Sequence, residues 1–175
     1  MKKAIIVVDM INDFVTGKLG SPRAQKIIPN IAALLKKARK QGIPIVYLRD
    51  AHKSTDKEMN IWGEHAMKGT EGSEIVPQLK PEKNDIVIEK KWYSGFVDTE
   101  LQAILKKLGV DTLIILGVST DICVQNNVGH AYFSGFGTIV PQDCVASIDE
   151  AAHELAIKYM KDNYGAQITT SDKVL

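Results

Sequence analysis

Residues Leu113 to Val124, Leu-Ile-Ile-Leu-Gly-Val-Ser-Thr-Asp-Ile-Cys-Val, constrain this chain more than any other stretch. Four apolar residues without alternation predict a strand covered on both faces, as in a parallel sheet. Gly117 marks a tight turn. From Asp121 to about Ser134 the spacing of Val124, Val128 and Ala131 becomes helical. Cys123 is thereby delivered to the first turn of a helix, among unpaired backbone N–H groups and the positive end of the dipole. Both lower a thiol pKa from about 8.5, and the same N–H groups could hold a developing oxyanion. The competing reading is inert packing, since free cysteines are among the most buried residue types.

The rest of the chain repeats the strand-then-helix theme. Lys3 to Val8 reads as a buried strand ending at Asp9. Helix signals run from about Pro22 to Gln41, with Ile27, Ile31, Leu34, Leu35 and Ala38 on one face, Pro29 at the first helical position and Gly42 as the stop. Ile43 to Leu48 is the second strand and runs into Arg49, Asp50 and His52. Residues 51 to 80 are irregular, with one short helix expected near Glu74 to Leu79. Asp85 to Glu89 is the third strand, ending at Lys90. A helix from about Thr99 to Leu108 precedes the Leu113 strand. Phe136 to Val140 is the fifth strand, leading to Asp143. A helix from about Asp149 to Asn163 presents Ala152, Leu155, Ala156 and Tyr159 on one face, and Ala166 to Thr169 is a short final strand. Alternating strands and helices imply right-handed βαβ units. The expected fold is α/β: a three-layer α/β/α sandwich, Rossmann-like, with a mostly parallel sheet of about six strands. The 175 residues fit one domain, 1–175.

Composition narrows the function classes. A formal net charge of +1 offers no electrostatic case for nucleic acid or an anionic membrane. No apolar run approaches the ~18 residues of a membrane span. Lys2-Lys3 and the apolar run after them resemble a signal peptide only until Asp9, and no small-residue cleavage site follows. Two cysteines, Cys123 and Cys144, make no disulfide framework. The expected compartment is the reducing cytoplasm.

In an open parallel sheet, ligands bind beyond the carboxyl ends of the strands. The expected strands deliver Asp9, then Asp50 and His52, then Lys90, then Cys123, then Asp143 to that one edge. His130 lies seven residues beyond Cys123, about 10 Å along a helix, and cannot reach the thiol. Asp121 is two residues away, where side chains do not face each other, and suits an N-cap. The base must come from another strand. Asp9 is the best placed, with a loop-capping carboxylate as its structural alternative. Lys90 is the candidate cation, although Lys91 beside it competes. Asp50-x-His52 has metal-ligand spacing for an extended segment, and His65 in the irregular loop could supply a third ligand of a catalytic zinc-like or iron-like site. Trp62 and Phe14 are either packing residues or an aromatic wall for a flat substrate.

These residues resemble a known family. Ala4-Ile5-Ile6-Val7-Val8-Asp9-Met10 with Asn12-Asp13-Phe14, Arg49-Asp50-Ala51-His52, Trp62-Gly63-Glu64-His65-Ala66 with Lys68-Gly69-Thr70, Lys90 before Tyr93-Ser94-Gly95-Phe96, and Gly117 to Val124 are similar to the isochorismatase-like cysteine hydrolases. That superfamily includes nicotinamidases and N-carbamoylsarcosine amidases, and the resemblance covers nearly the whole chain. It implies a catalytic triad of Asp9, Lys90 and Cys123, selecting Lys90 over Lys91. It also implies a cis peptide between Val118 and Ser119 that turns the Ser119 N–H toward the Cys123 N–H as an oxyanion hole. By the same resemblance Asp50, His52 and His65 would bind a divalent metal (zinc, manganese or iron), with no organic cofactor. Phe14, Trp62 and Tyr93 would line the substrate pocket. Ala51, where nicotinamidases commonly carry tryptophan, and the Trp62 to Thr70 segment look closer to carbamoylsarcosine-amidase-like members.

The implied activity is hydrolysis of a carbon–nitrogen bond in a small planar amide or ureido substrate, releasing ammonia through a thioester. Its rivals are an isochorismatase-type vinyl-ether hydrolase, which need not use the cysteine, and a non-catalytic binding member of the family. The expected partners are a small-molecule substrate and further copies of the chain in a homo-oligomer.

Overall fold

Five consecutive residues with no exposed surface, Ala4 to Val8, make strand β1 (Lys3–Val8) the centre of the molecule. The structure, a computed structural model, describes residues 1–175. After β1 come the short helix α1 (Asn12–Val15), α2 (Pro22–Lys26) and α3 (Ile28–Lys40), then β2 (Ile45–Asp50) and α4 (Met59–Trp62). Strand β3 (Ile86–Lys90), helix α5 (Leu101–Leu108) and strand β4 (Thr112–Val118) follow. The chain closes with α6 (Gln125–Phe133), β5 (Gly137–Pro141), β6 (Val145–Ala146), α7 (Glu150–Tyr164) and β7 (Gln167–Thr169). The strands form one seven-stranded sheet in the order β3-β2-β1-β4-β5-β7, with β6 paired beside the end of β4. Every pairing is parallel. The expected α/β sandwich is therefore present, with the two-residue β6 as the strand the sequence did not disclose.

The apolar run Leu113 to Leu116 is fully buried, as a strand covered on both faces requires. Each such side chain contributes roughly 1.5–3 kcal/mol by leaving water. On α3 the buried face is Ile31, Leu34, Leu35 and Ala38, the set that the spacing predicts. No helix is long and apolar enough to cross a membrane.

Several boundaries differ from expectation, each for a local reason. The expected Pro22–Gln41 helix is broken at Ile27, and Pro29 sits at the second position of α3 rather than the first. Ser21 Oγ accepts a bond from the Ala24 N–H at 3.1 Å and starts α2. Strand β2 runs to Asp50 instead of Leu48, because the polar residues Arg49 and Asp50 continue the ladder opposite Glu89 and Lys90. The short helix expected near Glu74 to Leu79 is a single 3₁₀ turn over 77–79, and a second such turn lies before it over 71–73. On α7 the buried residues are Ala156 and Met160, while Leu155 is 69% and Tyr159 45% exposed. The helix is thus turned about one position from the expected face.

Strand order fixes where the chemistry sits. The chain builds β1, β2 and β3 outward on one side, then returns to lay β4 against the other edge of β1. That reversal opens a crevice beyond the carboxyl ends of β1 and β4. Gly117 sits at its lip with φ +114°, and a Cβ there would lie 2.0 Å from the Val8 carbonyl oxygen. Only glycine permits both that backbone and that approach. Gly117→Ala is expected to lose about 3 kcal/mol or more of stability in a urea titration. A loss below about 1 kcal/mol would show that β1 and β4 can separate there without cost.

Candidate active site

Parallel pairing sets the first contacts. Val8 is in register with Leu48 on one side and Gly117 on the other, so Asp9 emerges between β2 and β4. Its N–H continues the ladder to the Leu48 carbonyl at 2.9 Å, and its backbone then enters the left-handed region at φ 50°. Asp is among the few side chains that tolerate this conformation. Asp9 Oδ1 accepts a bond from the Asp50 N–H at 2.9 Å. Asp50 and Lys90 are register partners at the ends of β2 and β3. The Lys90 ammonium lies 2.8 Å from Asp9 Oδ2, pairs with Asp50 Oδ1, and reaches Cys123 Sγ at 3.9 Å. One oxygen of Asp9, one of Asp50 and the Cys123 sulfur lie within 4.8 Å of one another. All four side chains are buried. Lys91 points elsewhere, toward Asp98 on the surface.

Burial and the one shared ammonium push the two carboxyls apart. Burial, followed by the Asp50 charge, raises Asp9 to about 7 against the opposing pull of Lys90. Burial also acts to raise Asp50, but Lys90 and His52 outweigh it and hold Asp50 below the ordinary range. Burial works against the Lys90 charge, but Asp50, Asp9 and Cys123 together keep it firmly protonated. The thiol departs from expectation. Burial pushes Cys123 well above its ordinary value, and Lys90 only partly opposes this. Helix-end stabilisation does not prevail over that burial; Cys123 lies in a π-helical turn, Thr120–Val124, ahead of α6. Asp121 is not its cap either: its carboxylate accepts a bond from Ser147 Oγ at 2.7 Å. The peptide between Val118 and Ser119 is cis.

Above the thiol is a cavity of about 90 Å³, lined by Phe14, Trp62, Tyr93, Ser119, Cys123 and ten further residues besides Ile148 at its mouth. The indole N–H of Trp62 donates to the Tyr93 hydroxyl at 3.1 Å and joins two walls. Asn127 is a residue that sequence reasoning missed. Fully buried, it donates to the carbonyls of Cys123 (2.8 Å) and Tyr93 (3.1 Å) and accepts from the Gly95 N–H (2.9 Å). It ties the cysteine turn to the aromatic wall. Its only sequence signal is an amide four residues after Cys123 on an otherwise apolar helix face.

Asp50, His52 and His65 also come together, and Glu58 joins them: one ligand atom of each lies within 4.8 Å of the others. The His65 Nδ1 lies 2.7 Å from the Gly63 carbonyl, which can only accept, so the proton sits there and Nε2 carries a free lone pair. His52 Nδ1 faces Asp56 Oδ2 at 3.2 Å, while its buried Nε2 has no hydrogen-bond partner. Two imidazoles held through one nitrogen and bare at the other are the arrangement of metal-bound histidines. The donor set of two nitrogens and two carboxylates suits a divalent ion such as zinc, manganese or iron. Asp13 Oδ2 anchors this loop by accepting the Ala66 N–H at 2.7 Å.

Other candidates fall outside the site. Asp143 accepts from the Ser171 N–H and hydroxyl near the chain's end. His130 lies between the rings of Phe96 and Phe133. Cys144 is fully buried, and burial together with Asp143 raises it to about 12.

Known proteins share this arrangement of chain. The structure of N-carbamoylsarcosine amidase from Thermoplasma acidophilum superposes with a TM-score of 0.94 at 39% identity, covering 99% of both chains. Nicotinamidase PncA from Bacillus subtilis superposes with a TM-score of 0.92 at 33% identity, covering 97% of this chain and 99% of that one. A pyrazinamidase of Pyrococcus horikoshii, solved in complex with zinc, is 32% identical with a TM-score of 0.91, covering 97% and 99%. The family model for the isochorismatase domain matches residues 3–173, and the chain belongs to the isochorismatase family.

Proposed function

We propose that the chain, as one hydrolase domain over residues 1–175, is a cysteine-dependent amidohydrolase that cleaves a C–N bond in a small linear amide or ureido compound. The convergence of Asp9, Lys90 and Cys123 beneath a ring-sized apolar cavity carries this reading. Relatives named as amidases of nicotinamide and N-carbamoylsarcosine support it.

Cys123 rests as a thiol, so it needs a base as it attacks. Asp9 suits that role, because Oδ2 carries no aligned hydrogen-bond donor and a carboxyl with a pKa of about 7 can both take and return a proton. The thiol proton passes to Asp9 as sulfur bonds to the carbonyl carbon and the carbonyl electron pair moves to oxygen. The Ser119 and Cys123 N–H groups would receive that oxyanion, an interaction worth roughly 3–4 kcal/mol. The tetrahedral intermediate collapses, the C–N bond breaks, and Asp9 protonates the departing ammonia. Water then adds to the thioester, giving its proton to Asp9, and the C–S bond breaks with the proton returned to sulfur. Lys90 stays protonated throughout and holds both carboxylates in place. A divalent ion held by Asp50, His52, Glu58 and His65 would supply a Lewis-acidic anchor beside the cavity.

Ammonia release from a panel holding nicotinamide, N-carbamoylsarcosine and simple ureas tests the reading. Cysteine-dependent release from any member supports it, and activity independent of Cys123 overturns it. Because Asp9 must be ionised to act, kcat/KM is expected to rise with pH through a limb near 7. A flat profile between about pH 5 and 9 would remove Asp9 as the base. The sign for stability is opposite. The folded pKa lies above the unfolded 3.8, so the fold holds an extra proton in between, and Asp9's contribution falls as pH rises through that window.

Zinc is expected to bind one per chain in competition with a chromophoric chelator. His65→Ala and Glu58→Ala should each weaken it by at least the 10–100-fold that outer partners typically cost. Unchanged affinity in Glu58→Ala would limit the site to Asp50, His52 and His65.

A further inference from the structure

The turn that carries the nucleophile faces two ways. Ser119 and Cys123 line the cavity, whereas Thr120 between them does not and has no exposed surface. Thr120 Oγ1 makes its one hydrogen bond with His153 Nδ1, at 2.9 Å. His153 stands on α7 and does not line the cavity either. Next along the turn, Asp121 is tied to Ser147, which is itself a cavity residue. At the sulfur end, Asn127 holds the Cys123 carbonyl at 2.8 Å. The Ser119 N–H has no hydrogen-bond partner in the chain, so only its neighbours hold it in place. His153 is therefore the anchor that reaches the Ser119 end from outside the cavity. Burial, then the Arg23 charge, holds His153 below its ordinary pKa, so at neutral pH the ring adds no charge of its own. Without this bond the buried Thr120 hydroxyl lacks a partner, and the turn is free to shift beside Ser119.

Resting on the amidase reading above, we propose that His153 is a positioning residue for the reaction. Through the Thr120 hydroxyl it fixes the Ser119 N–H where the oxyanion forms, from the side of the turn that substrate never touches. An oxyanion donor works only within about 2.7–3.1 Å of the developing charge, so a small displacement is felt in the transition state. The substrate's ring lies elsewhere, among Phe14, Trp62 and Tyr93. Loss of the anchor therefore falls on kcat and not on KM.

His153→Leu keeps the branched shape without a polar atom. His153→Asn places an amide oxygen or nitrogen where Nδ1 stood and can take either hydrogen-bonding role. Ammonia release over the amide and urea panel is expected to show kcat about 10–100-fold lower in His153→Leu. KM should change by less than about threefold, and His153→Asn should recover kcat to within about threefold. Thr120→Val should match His153→Leu, and the double variant should lose no more than either, since all three remove one bond. Alkylation of Cys123 by iodoacetamide should keep its rate, because displacement of iodide by sulfur develops no oxyanion. Benzaldehyde reads the same pocket without hydrolysis: sulfur bonds to the carbonyl carbon, the carbonyl electron pair moves to oxygen, and the thiol proton passes to Asp9. Its affinity, followed by protection against iodoacetamide, should fall about tenfold or more in His153→Leu and recover in His153→Asn.

No ammonia from any compound, with benzaldehyde affinity changing as stated, defeats the amidase reading and upholds the positioning role. Unchanged kcat in His153→Leu, a loss carried by KM, no recovery in His153→Asn, or alkylation slowed in step with kcat overturns the role and leaves the amidase reading intact. If His153→Leu does not fold, full kcat in Thr120→Val overturns it. A parent protein that neither releases ammonia nor binds benzaldehyde overturns both.

Discussion

Cys123→Ala is expected to lose turnover by on the order of 10⁴-fold or more while keeping the fold. The loss is large because the nucleophile and its base act as one unit, so removing the sulfur leaves Asp9 with no proton to move. The structural effect is small. Cys123 is 6% exposed and its replacement removes a single buried sulfur, so stability should change by about 1 kcal/mol and the circular dichroism spectrum should be retained. Cys123→Ser should be nearly as inactive, since a carboxyl with a pKa of about 7 is too weak a base for a hydroxyl. Alkylation with iodoacetamide gives an independent readout. Burial raises both thiols, but Cys123 opens onto the cavity beside Asp9, whereas Cys144 is fully buried and lines no part of it. One thiol should therefore react in the native enzyme and none in the variant. Full activity in Cys123→Ala would end the cysteine mechanism and favour chemistry of the vinyl-ether-hydrolase kind.

Strand ends were the legible part of this chain. Apolar runs such as Ala4 to Val8 and Leu113 to Leu116 can only be buried, and the first polar residue after each marks the sheet's carboxyl edge. Asp9 is that first polar residue, Asp50 and Lys90 each come one residue after it, at the ends of their strands, and the Cys123 turn follows the fourth apolar run; the resemblance to a family sharpened the choice between Lys90 and Lys91. Less was legible where tertiary contacts override the local pattern. Ala152, Leu155, Ala156 and Tyr159 sit at helical spacing, yet of these α7 buries only Ala156, together with Met160, because a four-residue stripe fits two rotations of the helix almost equally. Glu58 escaped notice for a different reason. It precedes a single helical turn in the irregular region, and an isolated glutamate in a polar loop carries no periodic signal. Only folding shows that it faces His52 and His65, at 3.6 and 3.8 Å. The thiol pKa was misjudged through the same limit. A helix start is visible in sequence, but the burial that outweighs it is not.

Lys90→Met is expected to be the most destabilising substitution at the site, and its pH dependence identifies the cause. Methionine fills most of the volume but leaves Asp9 and Asp50 buried without their cation. Breaking a buried ion pair on one side costs about 3–5 kcal/mol, because the remaining charge is uncompensated. Two carboxylates then share one dry site, so at least one must take up a proton. Lys90 holds Asp9 down, and its removal pushes Asp9 further above the unfolded value of 3.8. The variant therefore binds more protons folded than unfolded across a wider range, and its stability must fall as pH rises. The deficit relative to the parent protein should be smaller near pH 5 than near pH 8, measured by urea denaturation at both. Adding Asp9→Asn should recover part of the loss, since it removes one of the stranded charges. Turnover should not recover in either variant, because the base stays protonated at neutral pH in the first and is replaced by an amide in the second. A pH-independent loss in Lys90→Met would mean that packing at the end of β3, and not the shared charge, is what Lys90 contributes to stability.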